Sequence, residues 1–200
     1  MKELRNRGVL IAIEGLDGSG KTTHARILNE NLRRYGYNSE YTKEPSIGKI
    51  GSFIQRMILY GNIMTEPTVE ALLFAADRVD HIKSFVEPSL RQGRIIISDR
   101  YVYSSLAYQG ARGVDLKWLR NINEFAPKAD ISFYIDVPPE VALSRKRGTK
   151  SVFERLDFQT RVRNIYLEFA RAKELHLISG NNPLNRVQEE LLSSVENFLR

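Results

Sequence analysis

Short apolar runs alternate with longer amphipathic segments along this chain. The runs are typical of buried strands, whereas the segments between them carry apolar residues at helical spacing. Strands separated by helices predict right-handed crossovers and a parallel sheet with helices on both faces, hence an α/β fold. The predicted strands are Val9–Ile13, Tyr37–Tyr41, Arg94–Ser98, Ile131–Ile135 and Leu175–Ile178, and the predicted helices lie near 22–35, 47–60, 68–91, 101–110, 115–125, 138–147, 156–173 and 184–199.

The first apolar run leads directly into a glycine-rich segment that reads Gly-Leu-Asp-Gly-Ser-Gly-Lys-Thr. This is a complete G-x-x-x-x-G-K-[ST] loop, with a predicted strand before it and a predicted helix after it, as a phosphate-binding loop requires. Its glycines let backbone N–H groups surround a polyphosphate at the positive end of the helix. We expect the chain to bind a nucleoside triphosphate through Gly15, Leu16, Asp17, Gly18, Ser19, Gly20, Lys21 and Thr22.

A second strand also ends in residues suited to phosphate chemistry. Asp99 and Arg100 follow Ile95, Ile96 and Ile97. A carboxylate at such a strand end normally orients Mg²⁺ or its waters, so Asp99 and the Thr22 hydroxyl are the expected metal ligands. The planar guanidinium of Arg100 suits phosphate oxygens, although a structural Asp-Arg ion pair is an alternative.

Three further segments fit a small acceptor. Lys43-Glu44-Pro45 follows the second strand, and Phe74 and Arg78 stand four residues apart, hence on one face of a helix. The segment 101–110 supplies hydroxyls and an amide. Taken singly these side chains could be core or surface residues, so the prediction depends on their joint appearance around a phosphate loop.

With these motifs the sequence resembles the thymidylate kinase family over nearly its whole length. The landmarks are the phosphate loop, Lys43-Glu44-Pro45, Leu73–Arg78, Asp99-Arg100-Tyr101, Ala107–Gly110 and Asp136–Glu140. The resemblance implies a nucleoside monophosphate kinase-like fold with five parallel strands and a short mobile lid. It implies phosphorylation of dTMP by ATP with Mg²⁺, in a homodimer.

The resemblance also implies roles for individual residues. Asp17 would accept a hydrogen bond from the acceptor's 3′-hydroxyl, Phe74 would stack on thymine, and Arg78 would reach O4. Tyr108 would crowd the 2′ position and Arg100 would hold the acceptor phosphate. The remaining implied acceptor residues are Glu44, Ser105 and Gln109, and Arg145 and Asn182 would flank adenine.

Two departures from the family pattern concern positive charge. Lys43 replaces the commoner arginine before Glu-Pro, which keeps the charge but loses a bidentate fork. The second lies in the lid, about residues 145–155, where the family often carries Arg-[Ile/Phe]-Glu and this chain has Val152-Phe153-Glu154. With Gly18 the chain resembles family members that lack an arginine in the phosphate loop and place the catalytic cation in the lid. Arg147 is our first choice beside Lys21 and Arg100 as a catalytic residue, with Lys150 and Arg155 as alternatives.

Composition limits the remaining possibilities. With 200 residues and no repeat or linker, we expect a single domain spanning 1–200. The absence of cysteine, of a signal-like start and of an apolar stretch near about 18 residues predicts a soluble cytoplasmic protein without a membrane partner. The net charge of +6 is spread along the chain, so we expect it to serve phosphorylated ligands and not nucleic acid.

Two other function classes stay open. Among other kinases, another nucleoside monophosphate kinase is an alternative, and so is a deoxynucleoside kinase, which would need a general base that Glu44 could supply. A GTP-dependent switch usually shows Asn-Lys-x-Asp, and this chain has no Asn-Lys dipeptide.

The predicted helix near 68–91 is apolar around most of its circumference. Such a helix is buried on more than one side. A central core helix is one interpretation. The other gives the second face a substrate wall or a contact with a second copy of the chain, and we expect such a dimer contact around Leu72, Ala76 and Val79.

Overall fold

The computed structural model describes residues 7–59, 65–145 and 155–199. Within them five strands form one sheet in the order β2-β3-β1-β4-β5, and every pairing is parallel. The predicted α/β fold with a five-stranded parallel sheet is confirmed, with strand ends shifted by up to two residues. The strands are β1 Val9–Gly15, β2 Ser39–Lys43, β3 Ile95–Asp99, β4 Ile131–Asp136 and β5 His176–Ser179.

Helices connect the strands as the pattern predicted, and two of them contain π-helical turns. These turns, Gln55–Leu59 and Ile82–Val86, continue the second and third α-helices without a break. The hydrophobic periodicity of the sequence did not predict these π-helical turns. The α-helices are α1 Lys21–Arg34, α2 Lys49–Ile54, α3 Pro67–His81, α4 Glu87–Arg91, α5 Val102–Ala111, α6 Leu116–Ile122, α7 Pro139–Arg145, α8 Leu156–Arg171 and α9 Leu184–Leu199.

Strand β1 lies at the centre of the sheet and is buried on both faces. Its odd-numbered apolar residues face a layer made by α1 and α9, where Leu28 and Leu191 are fully buried. Its even-numbered residues face the layer that contains Ile82 and Tyr101. Successive side chains of a strand point to opposite faces, so a strand between two helical layers reads as a continuous apolar run.

The expectation for the helix near 68–91 is only partly met. One face of α3 is buried, but Val69, Leu72 and Val79 are 47%, 50% and 41% exposed within the chain. The apolar pattern therefore reflects one buried face and one exposed apolar face.

The carboxyl ends of β1, β2 and β3 lie side by side, because Ile13 and Lys43 both pair with Asp99. Ligands of open α/β sheets bind at this edge. The predicted lid residues Arg147 and Lys150 lie outside the described residues. None of the helices in the described ranges has the length and apolarity needed to cross a membrane.

Candidate active site

The phosphate loop connects β1 to α1 in the predicted strand–loop–helix arrangement. Gly18 and Gly20 have φ angles of 85° and 90°, in the left-handed region that favours glycine. Gly20 caps α1 without a side-chain hydrogen bond. The backbone N–H groups of the first turn therefore remain available to an anion, which the helix dipole also favours.

Lys21 begins α1 and is buried at the base of this loop. Its ammonium lies 3.2 Å from the Leu16 carbonyl oxygen and 3.3 Å from Asp17 Oδ1. Burial lowers the pKa of Lys21, and the positive charge of Arg100 lowers it further. The hydroxyl oxygen of Ser19 in the same loop is buried and finds no hydrogen-bond partner in the part of the chain that the structure describes. The loop thus holds positive charge and an unsatisfied polar atom that bound phosphate oxygens would satisfy.

The two predicted metal ligands are in direct contact. The Thr22 hydroxyl donates to Asp99 Oδ2 at 2.5 Å, and the Tyr41 hydroxyl donates to the same oxygen at 3.2 Å. Asp99 Oδ1 is buried and has no hydrogen-bond partner within the described residues. No group of three acidic or histidine ligands occurs in the described part of the chain. A buried, unpartnered carboxylate oxygen beside a hydroxyl fits Mg²⁺, which takes few protein ligands and keeps water and phosphate oxygens.

Arg100 connects the phosphate loop to the neighbouring cleft. Its φ angle of 73° is rare for a residue with a side chain. Its guanidinium pairs with Asp17, donates to Ser104 Oγ at 3.0 Å and lies 4.8 Å from the centre of the Tyr108 ring. The strained backbone thus directs a cation to the place where the loop meets the cleft.

A buried glutamate that sequence analysis did not single out binds two residues close to Arg100. Glu14, which is fully buried, accepts hydrogen bonds from the Tyr101 amide at 2.9 Å and from the Ser104 hydroxyl at 2.5 Å. Burial raises its pKa, while Ser104 and Arg100 act in the opposite direction. The available signal was one acidic residue between the apolar run Val9–Ile13 and the first glycine of the loop.

The cleft beside the loop brings together the eight predicted acceptor residues. It encloses about 530 Å³, its open mouth included. Pro45 and Ser104 line it from two of the predicted acceptor segments without an assigned role, and Leu59 lines it without having been predicted. The predicted residues that line it are Asp17, Glu44, Phe74, Arg78, Arg100, Ser105, Tyr108 and Gln109.

Arg78 and Glu44 form a buried ion pair at the back of this cleft. Arg78 Nε and Nη2 lie 2.8 and 2.7 Å from Glu44 Oε2, and His81 Nδ1 lies 3.3 Å from Oε1. Arg78 also donates to the Tyr101 carbonyl and to Ser105, each at 3.1 Å. Both oxygens of Glu44 are engaged, so its geometry favours a structural role over that of a general base.

The two residues expected near adenine lie away from the acceptor cleft. Arg145 ends α7 and Asn182 follows β5, and both are exposed. Arg145 acts electrostatically on His24 in α1, where burial and this positive charge lower the histidine pKa. The positions are compatible with a nucleotide base outside the phosphate loop, and the roles stay predictions.

Comparison with known proteins agrees with this geometry. A model of the thymidylate kinase family matches residues 13–191. A probable thymidylate kinase of Pyrococcus horikoshii is 40% identical over 201 residues, which cover 96% of this chain and 98% of the relative. A probable thymidylate kinase of Thermococcus kodakarensis is 40% identical and covers 96% of this chain and 98% of the relative. A probable thymidylate kinase of Pyrobaculum calidifontis is 41% identical, and the match covers 94% of this chain and 96% of the relative.

Proposed function

Because the chain belongs to the thymidylate kinase family, we propose that it transfers the terminal phosphoryl group of ATP to the phosphate of dTMP. The observation that carries this proposal is the position of Arg100, which both lines the acceptor cleft and pairs with Asp17 of the phosphate loop. A cation at this junction can contact the acceptor phosphate and the transferred group together.

The acceptor phosphate of a nucleoside monophosphate is itself the nucleophile. Its second pKa is about 6, so it is largely ionised at neutral pH and needs no general base. The barrier is repulsion between two anions, which Lys21 and Arg100 reduce by holding positive charge in fixed positions. The engagement of both Glu44 oxygens by Arg78 and His81 is consistent with base-free transfer.

Thr22 and Asp99 would hold Mg²⁺ on the phosphate side of the loop. The ion would neutralise charge on the outer phosphates of the donor. Phe74 and Arg78 would hold the base, Ser105 and Gln109 would line its polar edge, and Tyr108 would occupy the space beside the sugar.

The catalytic lid stays part of the proposal, since Gly18 gives the phosphate loop no arginine of its own. Arg147 is the first candidate for the missing cation, with Lys150 and Arg155 as alternatives. A cation that acts in the transition state lowers kcat more than substrate affinity when it is removed. Alanine variants that each keep kcat within about twofold of the wild type would exclude a catalytic lid.

The acceptor is tested by measuring ADP release with dTMP, dUMP, dCMP, dAMP, dGMP and thymidine. We expect dTMP to give the highest kcat/KM. Thymidine should give no detectable transfer, because it presents a neutral hydroxyl and would need a base. Higher kcat/KM with thymidine than with dTMP would assign the chain to the deoxynucleoside kinases.

We also propose that the enzyme is a symmetric homodimer that buries the exposed apolar face of α3. Val69, Leu72 and Val79 lie on this face, and a second copy would cover them by a self-complementary contact. Light scattering at micromolar concentration should give twice the chain mass. Leu72→Glu should shift it toward the monomer, and a monomeric wild type would contradict the proposal.

A further inference from the structure

Glu70 is a fully buried carboxylate that the proposed transfer does not use. It lies in the first turn of α3 and accepts a hydrogen bond from Gln109 Nε2 on α5 at 2.8 Å. Its second oxygen pairs with Arg112 at 2.5 Å. A buried carboxylate held by two donors from another segment fixes the geometry of those donors.

The contact belongs to a ladder between two helices that wall the acceptor cleft. Glu70, Phe74 and Arg78 are four residues apart and share one face of α3. Ser105 and Gln109 are likewise four apart on α5. Arg78 donates to Ser105 at one end of the ladder, and Gln109 donates to Glu70 at the other, with Phe74 lining the cleft between.

This arrangement leaves one orientation for the Gln109 amide. Paired with Arg112, the carboxylate of Glu70 only accepts hydrogen bonds, so the amide nitrogen of Gln109 must face it. The opposite atom, Gln109 Oε1, is buried and has no hydrogen-bond partner among residues 7–59, 65–145 and 155–199, and Gln109 lines the cleft. An unpartnered buried acceptor at a ligand cleft indicates that a ligand supplies the donor.

We propose that Glu70 is a positioning residue that holds the carbonyl oxygen of Gln109 toward the base of the acceptor and thereby selects thymine over cytosine. This inference depends on the proposed function. Thymine presents a donor at N3 and an acceptor at C4, which complement the Gln109 oxygen and an N–H group of Arg78. Cytosine presents an acceptor at N3 and a donor at C4, so both positions would oppose like groups.

The test is the ratio of kcat/KM for dTMP to that for dCMP in Glu70→Gln. A glutamine at 70 can donate as well as accept, which releases the amide of Gln109 to turn. We expect the ratio to fall about tenfold, the effect of one mispaired buried polar group. Glu66→Gln, the same change on the exposed residue before α3, is the matched control and should leave the ratio unchanged.

Gln109→Met provides a second variant that does not depend on the folding of Glu70→Gln. It removes the carbonyl oxygen and should lower the same ratio by a similar factor. The double variant should then resemble Gln109→Met alone, because Glu70 acts through Gln109.

Equal losses with dTMP and dCMP in Glu70→Gln, or an unchanged ratio in Gln109→Met, would overturn the inference. Either result would leave the proposed function intact if the wild type phosphorylates dTMP. A wild type inactive on dTMP would instead overturn the proposed function itself.

Discussion

The buried ion pair between Arg78 and Glu44 predicts a large loss of stability when the arginine is removed. The side chains are 1% and 3% exposed, so neither charge is screened by solvent. Replacement of Arg78 by methionine keeps most of the volume but leaves the carboxylate of Glu44 buried opposite an apolar group. Among the described contacts, only His81 then remains beside that carboxylate.

The structure sets the size of this effect. Breaking a buried ion pair by removing one partner costs about 3–5 kcal/mol. Arg78 also donates to Asn123, to Ser105 and to the Tyr101 carbonyl, so those groups lose a partner too. We expect a loss of at least 3 kcal/mol, about the lower end of that range, in the free energy of unfolding.

Arg94→Met is the matched control. Arg94 pairs with Glu40 at the sheet edge, where the side chains are 31% and 33% exposed. A pair of this exposure contributes about 0–1 kcal/mol, because water and salt screen it. Unfolding of the wild type and of both variants in guanidinium chloride, at one fixed protein concentration, gives the loss in free energy of unfolding for each variant. Equal losses in Arg78→Met and Arg94→Met would refute the argument from burial.

Three further predictions concern the site. Lys21→Ala should lower kcat by about 100-fold or more with little change in the circular dichroism spectrum, because one preorganised cation is lost. A variant that keeps a tenth of the wild-type activity would contradict a catalytic role for Lys21. Asp99→Asn should raise the Mg²⁺ concentration needed for half-maximal activity, because Oδ1 becomes part of a neutral amide; an unchanged Mg²⁺ dependence would exclude Asp99 as a ligand. Tyr108→Phe should keep the preference for dTMP over its ribonucleotide analogue and Tyr108→Ala should reduce it, because the aromatic ring fills the space that a 2′-hydroxyl would need. An unchanged ratio of the two kcat/KM values in the alanine variant would refute this steric role of Tyr108.

The sheet and the phosphate loop were predictable because their signals are local. A strand that is buried on both faces, such as Val9–Gly15, must be apolar throughout. The glycines at 18 and 20 adopt backbone angles that favour glycine, so their spacing is visible in one stretch of sequence. The side chains of the cleft were identified by resemblance, and the order of the strands explains why they meet.

The polar supports of the site were not predictable from local signals. Glu14 and Glu70 lie 90 and 39 residues away from the partners that satisfy them, Ser104 and Gln109. Within its own segment Glu14 appears as a lone charge in a strand, and Glu70 as an ordinary acidic residue near a helix start. Only the packing of α5 against the sheet and α3 converts them into buried acceptors.

The positive φ angle of Arg100 implies a conflict between thermodynamic robustness and activity at one position. Glycine would adopt this backbone angle more easily than any residue with a side chain, by about 1 kcal/mol. A selection for resistance to heat alone would therefore favour glycine over alanine there, and both would remove the guanidinium that joins the loop to the cleft. The arginine persists at an angle unfavourable to its own backbone, so the backbone strain at residue 100 can be relieved only by removing the guanidinium that the site uses.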